Sequence, residues 1–191
     1  MEWTVLEPDP QKVFVWQFIQ YHFVKQWQTV LDYAHSKGIS VIGDLPIYVS
    51  FDSCDVWCHK EQFMLDEKGY PTHVAGCPPD YFAKEGQLWG NPLYNWDAMK
   101  KDGFSWWKDR LSYQFTLFDG VRLDHFRGFE AFWAVPANAK TAVEGSWLKG
   151  PGIEFVNAMK EVAAKKMSLS AIADYIADPV AARAAKGRNF G

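Results

Sequence analysis

The stretch FSWWKDRLSYQFTLFDGVRLDHF, residues 104–126, decides how the rest of the chain is read. Phe104, Trp107, Leu111 and Phe115 recur at steps of three and four, the spacing of one apolar helix face. Residues 118–123 follow as a short apolar run, the pattern of a buried strand. That run ends in charge, with Arg122, Asp124, His125 and Arg127 within six positions. Helix, brief turn and buried strand together are the repeating unit of an α/β protein.

The same unit occurs once upstream. VFVWQFIQYHFVKQWQTVLDYAHSKG, residues 13–38, predicts a long helix with Phe14, Phe18, Tyr21, Val24, Leu31 and Ala34 on its apolar side. Pro10 near its start and Gly38 just past its end are the expected punctuation. ISVIGDLPIYV, residues 39–49, predicts a strand buried on both faces. Asp44 and Asp124 thus stand at the ends of successive strands. In parallel α/β folds, groups past the strand C-termini gather on one face, which is the case for a site here.

Residues 50–97 show no sustained period and many Gly and Pro. A connection of that length inside a compact domain is functional or disordered. Trp57, Tyr81, Phe82, Trp89, Tyr94 and Trp96 argue for an ordered excursion that carries binding groups. After Pro136 the signal weakens. SWLKGPG, residues 146–152, reads as a loop, residues 153–166 as a helix, and the Ala-rich tail 167–191 shows no strong apolar face.

Composition narrows the function. The 191 residues suit one domain or part of a larger one. With 14 Phe and 8 Tyr the chain can fill a core, and ten Trp are more than packing usually needs. Flat rings with polar edges suit sugar faces, which show C–H groups inside a rim of hydroxyls. The net charge is −3 with no basic block, so nucleic acid is not an expected partner. No run of eighteen apolar residues predicts a membrane span. MEWTVLEPDP lacks the pattern of a signal peptide, and three cysteines make no disulfide framework, so a cytoplasmic setting is expected. Cys54, Cys58, His59, His73 and Cys77 have spacings compatible with structural zinc. The direct succession of His59 on Cys58 and the aromatic anchors nearby weigh against it, and no metal site is expected.

Asp124 is the chemical focus. Nearby Arg122, His125 and Arg127 favour the charged form of a carboxylate. A positioned carboxylate can attack an anomeric carbon or stabilise an oxocarbenium-like transition state. In a strand Arg122 and Asp124 point to the same face, so the arginine can hold the carboxylate. A structural Arg–Asp pair at a strand end explains the same spacing.

GDLPIYV (43–49), GQLWGNPLYNW (86–96) and VRLDHFRGFEAFW (121–133) resemble the 4-α-glucanotransferases, or amylomaltases, of glycoside hydrolase family 77. The similarity runs from about Val13 to Gly152. It implies an α/β fold, a partial (β/α)8 barrel of the α-amylase clan with two to three helix–strand units and a long aromatic-rich loop insertion. Residues 1–152 would be the central part of that catalytic barrel, and 153–191 a helix with a divergent or truncated tail. The resemblance implies transfer of an α-1,4-glucan segment to an acceptor 4-hydroxyl with retention, with no cofactor and no obligatory metal. The expected partners are α-1,4-glucans and maltooligosaccharides, with glucose as acceptor. Asp124 matches the family's nucleophile and Arg122 the arginine that orients it. YFAKEGQLWGNPLY (81–94) matches a mobile loop over the acceptor side, with Gln87, Trp89 and Asn91 as sugar contacts. His125 and Asp44 are further expected substrate contacts.

The family's acid/base glutamate lies in an E-D-L-G segment. This chain reads MSLSAIADYIADPV at 167–180 instead, with Asp174 as the nearest carboxylate. The expected chain is therefore a fragment that keeps the nucleophile strand, poorly soluble, self-associating or inactive by itself. A catalytically inactive fragment and a non-catalytic glucan-binding module are the alternatives.

Overall fold

The computed structural model describes residues 9–166 and the two-residue strand at 172–173. Helix α1 (Pro10–Ser36) is followed by strand β1 (Ile42–Leu45), the short helix α2 (Cys54–Cys58), and strands β2 (His73–Cys77) and β3 (Gln87–Pro92). Then come helices α3 (Trp96–Lys101) and α4 (Ser105–Leu117), and strands β4 (Gly120–Leu123), β5 (Ala131–Pro136) and β6 (Ser146–Lys149). Helix α5 (Gly152–Lys166) and strand β7 (Ile172–Ala173) complete the described chain.

The fold is mixed α/β with two sheets. β1, β4 and β7 form a parallel sheet in that order, each preceded by a helix. Among the described residues these strands do not close into a barrel. The second sheet is antiparallel, in the order β3-β2-β5-β6. It corrects the reading of 50–97 as a loop excursion and of SWLKGPG as a loop. Part of the excursion supplies two strands, the segment after Asp124 supplies the other two, and Ser146–Lys149 pairs with β5.

The main core lies around α4. Trp107 and Leu111 are fully buried and Phe104 nearly so, as their spacing predicts. Phe104 is the residue before the helix, held in the left-handed region (φ 61°), with Asp102 accepting from the Ser105 N–H and hydroxyl. Phe155 of α5 stacks on Phe129 at 4.3 Å and meets Trp107 edge-on at 5.3 Å. Burying side chains of this size contributes roughly 1.5–3 kcal/mol each before entropy is counted.

Two expectations fail. β1 is not buried on both faces, for Ile42 and Asp44 are exposed while Gly43 and Leu45 are buried. α1 forms, with Asp9 capping its start, but Phe14, Phe18, Tyr21 and Val24 are exposed. Only its C-terminal part docks: Leu31 is buried, the Trp27 indole donates to the Leu117 carbonyl at 2.7 Å, and His35 meets Asp119. Periodicity establishes the helix and not which of its turns have a neighbour. No helix among the described residues is long and apolar enough to cross a membrane.

Candidate active site

β1 and β4 pair in register, with Asp44 opposite Arg122 and Leu45 opposite Leu123. The Asp124 amide donates to the Leu45 carbonyl at 3.0 Å, so the residue after β4 is tied to the end of β1. This juxtaposition brings three charged groups together. Arg122 Nε donates to Asp44 Oδ1 at 3.1 Å and Nη2 to Asp44 Oδ2 at 2.8 Å. Nη2 also donates to Asp124 Oδ1 at 3.4 Å. One guanidinium thus bridges two carboxylates, its two-pronged bond going to Asp44. The side chains are 39% (Arg122), 58% (Asp44) and 46% (Asp124) exposed, which leaves both carboxylates open to a ligand.

His125 follows with φ 48°, a left-handed conformation uncommon outside glycine. Gly128 leaves room for its ring. A Cβ there would come 2.6 Å from Ile47 Cδ1 and 3.1 Å from the His125 ring. The imidazole meets the Trp89 indole edge-to-face at 5.0 Å. Trp89 Nε1 donates to Gln87 Oε1 at 3.0 Å, so two predicted sugar contacts on β3 hold each other. The structure therefore brings Asp44, Arg122, Asp124 and His125 to the ends of β1 and β4, with Trp89 and Gln87 alongside His125.

Asn91 is in addition tied to the chain itself. Its Nδ2 donates to the Val49 carbonyl at 2.9 Å, fastening β3 to the segment after β1. That segment is pinned a second time by Tyr94, whose hydroxyl donates to the Ile47 carbonyl at 2.6 Å. Tyr48 stacks on Tyr94 at 5.7 Å and packs against Trp89 at 6.3 Å. Burial, with Tyr94 and Cys77 adding to it, pushes the Tyr48 phenol well above the usual tyrosine range. Burial raises Tyr94 as well, against the opposing influence of Arg110. Both phenols stay neutral across ordinary pH and act as packing and hydrogen-bonding groups.

Sequence reasoning named neither Tyr48 nor the aromatic pair Tyr81–Phe82 as site residues. These two rings are 91% and 92% exposed. Asp80 Oδ1 accepts from the Phe82 and Ala83 amides at 2.8 and 2.6 Å, a turn that presents both rings outward. Pro-Pro-Asp ahead of Tyr-Phe was the available signal. Asp174 lies outside the described residues. Cys54, Cys58 and Cys77 form no disulfide, and among the described residues no three His, Cys, Asp or Glu side chains are grouped to hold a metal ion.

Charged groups clustered past the ends of paired parallel strands, beside exposed aromatic rings, define an α/β protein with a strand-end site. The chain belongs to glycoside hydrolase family 77, whose model, described as 4-alpha-glucanotransferase, matches residues 4–176. It is 52% identical over 159 residues to the chloroplastic/amyloplastic 4-alpha-glucanotransferase of Solanum tuberosum, covering 83% of this chain and 27% of that one. It is 53% identical over 145 residues to the 4-alpha-glucanotransferase of Thermus thermophilus, covering 76% and 29%. The solved amylomaltase from Streptococcus agalactiae in complex with acarbose superposes with a TM-score of 0.78 at 44% identity, covering 86% of this chain and 33% of that one. The chain spans about a third or less of the length of these relatives.

Proposed function

We propose that this chain carries the nucleophile side of a retaining 4-α-glucanotransferase site, on two to three helix–strand units of a (β/α)8 barrel. The Asp44–Arg122–Asp124 cluster across β1 and β4 carries the reading. Asp124 attacks the anomeric carbon of an α-1,4-linked glucosyl unit. The glycosidic C–O bond breaks, and its oxygen takes a proton from a general acid. The 4-hydroxyl of an acceptor then attacks the glycosyl-enzyme and returns its proton to the same group, so configuration is retained. Arg122 keeps Asp124 oriented and is itself held by Asp44. Trp89 offers a ring face, and Gln87, Asn91, His125 and Asp44 offer polar contacts to α-1,4-glucans, maltooligosaccharides and an acceptor glucose. No step calls for a cofactor.

The acid/base must face Asp124 across about 5–5.5 Å. β7 neighbours β4, with Ala173 opposite Leu123, and adjacent strands are spaced by about 4.8 Å. The next residue in the sequence is Asp174, outside the described residues and the first candidate to test. The absent E-D-L-G segment favours a second reading, glucan binding without turnover. Glucose release from maltotriose by the 191-residue chain, with Asp124→Asn and Asp174→Asn as controls, tests both. Release abolished by either substitution supports the transferase. Maltotriose binding with no release supports the second reading.

A further inference from the structure

We propose that the cleft between α4 and the α2 segment is a second saccharide-binding site, separate from the strand-end cluster. The cleft encloses about 590 Å³. That lies within the range of ~300–1,000 Å³ typical of small-ligand pockets. Asp55 and Gln62 line it from one side, and Asp102, Asp109, Arg110 and Tyr113 from the other.

Three of these groups are fixed in place by the surrounding fold. The Arg110 guanidinium lies over the Trp106 and Trp107 rings, 5.2 and 4.9 Å from their centroids. It reaches the Ile47 carbonyl at 3.4 Å and the Tyr94 hydroxyl at 3.5 Å. Asp102 is fixed by the Ser105 amide at 3.1 Å and hydroxyl at 2.8 Å. Gln62 is only 7% exposed; its Nε2 donates to Asp102 Oδ2 at 3.2 Å, and its buried Oε1 has no donor. Gln62 thus keeps Asp102 in place from behind the cleft wall and leaves the Asp102 carboxylate exposed towards the cleft.

The chemistry of the lining selects the ligand class. Asp55, Glu61, Asp102 and Asp109 disfavour an anion, while Arg110, Gln62, Ser105 and Gln114 spread donors among them, a mixed lining that suits hydroxyls better than a single charge. No three carboxylate, His or Cys groups among the described residues are placed for a metal ion. What remains is a neutral ligand that both donates and accepts hydrogen bonds and has an apolar face for Tyr113, whose side chain is 53% exposed. A short oligosaccharide has those properties. That it is an α-glucan rests on the proposed function.

The test follows the indole N–H resonances of Trp106, in the cleft wall, and Trp89, at the strand-end site, during titration of the full chain with maltoheptaose. Each resonance is assigned by a Trp→Phe substitution. The expected result is a saturable shift of Trp106 whose midpoint rises at least 10-fold in Tyr113→Ala and in Asp109→Asn, with the Trp89 response unchanged. Both substituted residues are exposed, so circular dichroism should report native folding. A Trp106 response without a Trp89 response supports the cleft and overturns the strand-end reading. A Trp89 response with Trp106 silent at saturation overturns the cleft alone. Silence of both overturns both. A Trp106 midpoint indifferent to Tyr113→Ala and Asp109→Asn also overturns the cleft.

Discussion

Arg122 grips Asp44, 78 positions away in sequence, by two hydrogen bonds of 3.1 and 2.8 Å, and Asp124 by one of 3.4 Å. The arginine is therefore anchored on β1 and presented to Asp124, which keeps lone pairs for a reacting carbon. A lysine at 122 would keep the charge and lose the planar fork. Arg122→Lys should change urea stability by less than about 1 kcal/mol, because the group is exposed and exposed pairs contribute little. If the chain releases glucose from maltotriose, kcat should fall about 10²-fold from misplacement of Asp124. Equal loss of stability and activity would make the cluster a structural clamp.

Gly128 controls His125. An added Cβ meets Ile47 Cδ1 at 2.6 Å and the imidazole at 3.1 Å, so Gly128→Ala must move one or both. Overpacking of this kind costs about 1–3 kcal/mol. The expected result is a lower urea midpoint with unchanged slope, together with weaker maltooligosaccharide binding as the Trp89–His125 contact is lost. Native-like affinity at reduced stability would remove His125 from the binding surface.

The parts of this fold that were legible in the sequence are those settled by near neighbours. Phe104, Trp107 and Leu111 of the α4 unit have their burial written in steps of three and four residues. The antiparallel sheet was not legible, because β2 pairs with β5, residue 74 with 135, and no local period reports such a partner. Its strands also carry Gly76, Gly90 and a register shift between Val74 and Gly76, which break the alternation. The family motifs placed Arg122 beside Asp124. Asp44 was named as a sugar contact because i and i+2 is visible along a strand and a partner on the next strand is not. Asn91 was read as a sugar contact from its motif; its bond to the Val49 carbonyl depends on a tertiary approach that its neighbours do not encode.

Acid should loosen α1. Asp119 accepts the Val41 amide at 2.8 Å and faces His35 Nε2 at 2.8 Å. The Val41 hydrogen bond, with His35 assisting, holds the Asp119 carboxyl below its usual range. Its folded value is thus lower than its unfolded value near ~3.9. The stability it lends is complete above that unfolded value and is lost as pH falls through the folded one. The chain should lose urea stability below about pH 4. Asp119→Asn keeps an acceptor for Val41 and cannot titrate, so its stability should fall less steeply over the same interval. Parallel curves for the two proteins would place the acid sensitivity elsewhere.

Helix α1 makes the last prediction. Phe14, Trp16, Phe18, Tyr21, Phe23 and Tyr33 are each more than half exposed, while only Leu31 of this 27-residue helix is buried. Exposed apolar surface on this scale, with Phe14, Phe18 and Tyr21 on one side of the helix, drives association in water. β1 pairs only with β4 among the described strands, so its other edge is open to a further strand. The 191-residue chain by itself should therefore self-associate through α1 with a second copy. Sedimentation velocity should show a coefficient that rises with protein concentration. The double substitution Phe14→Glu, Phe18→Glu places charge one turn apart on that surface with residues that keep good helix propensity. It should return the chain to monomer at concentrations where the unmodified chain is associated, with helical content unchanged by circular dichroism. A monomer at every concentration in the unmodified chain would mean that α1 folds back onto its own domain in solution.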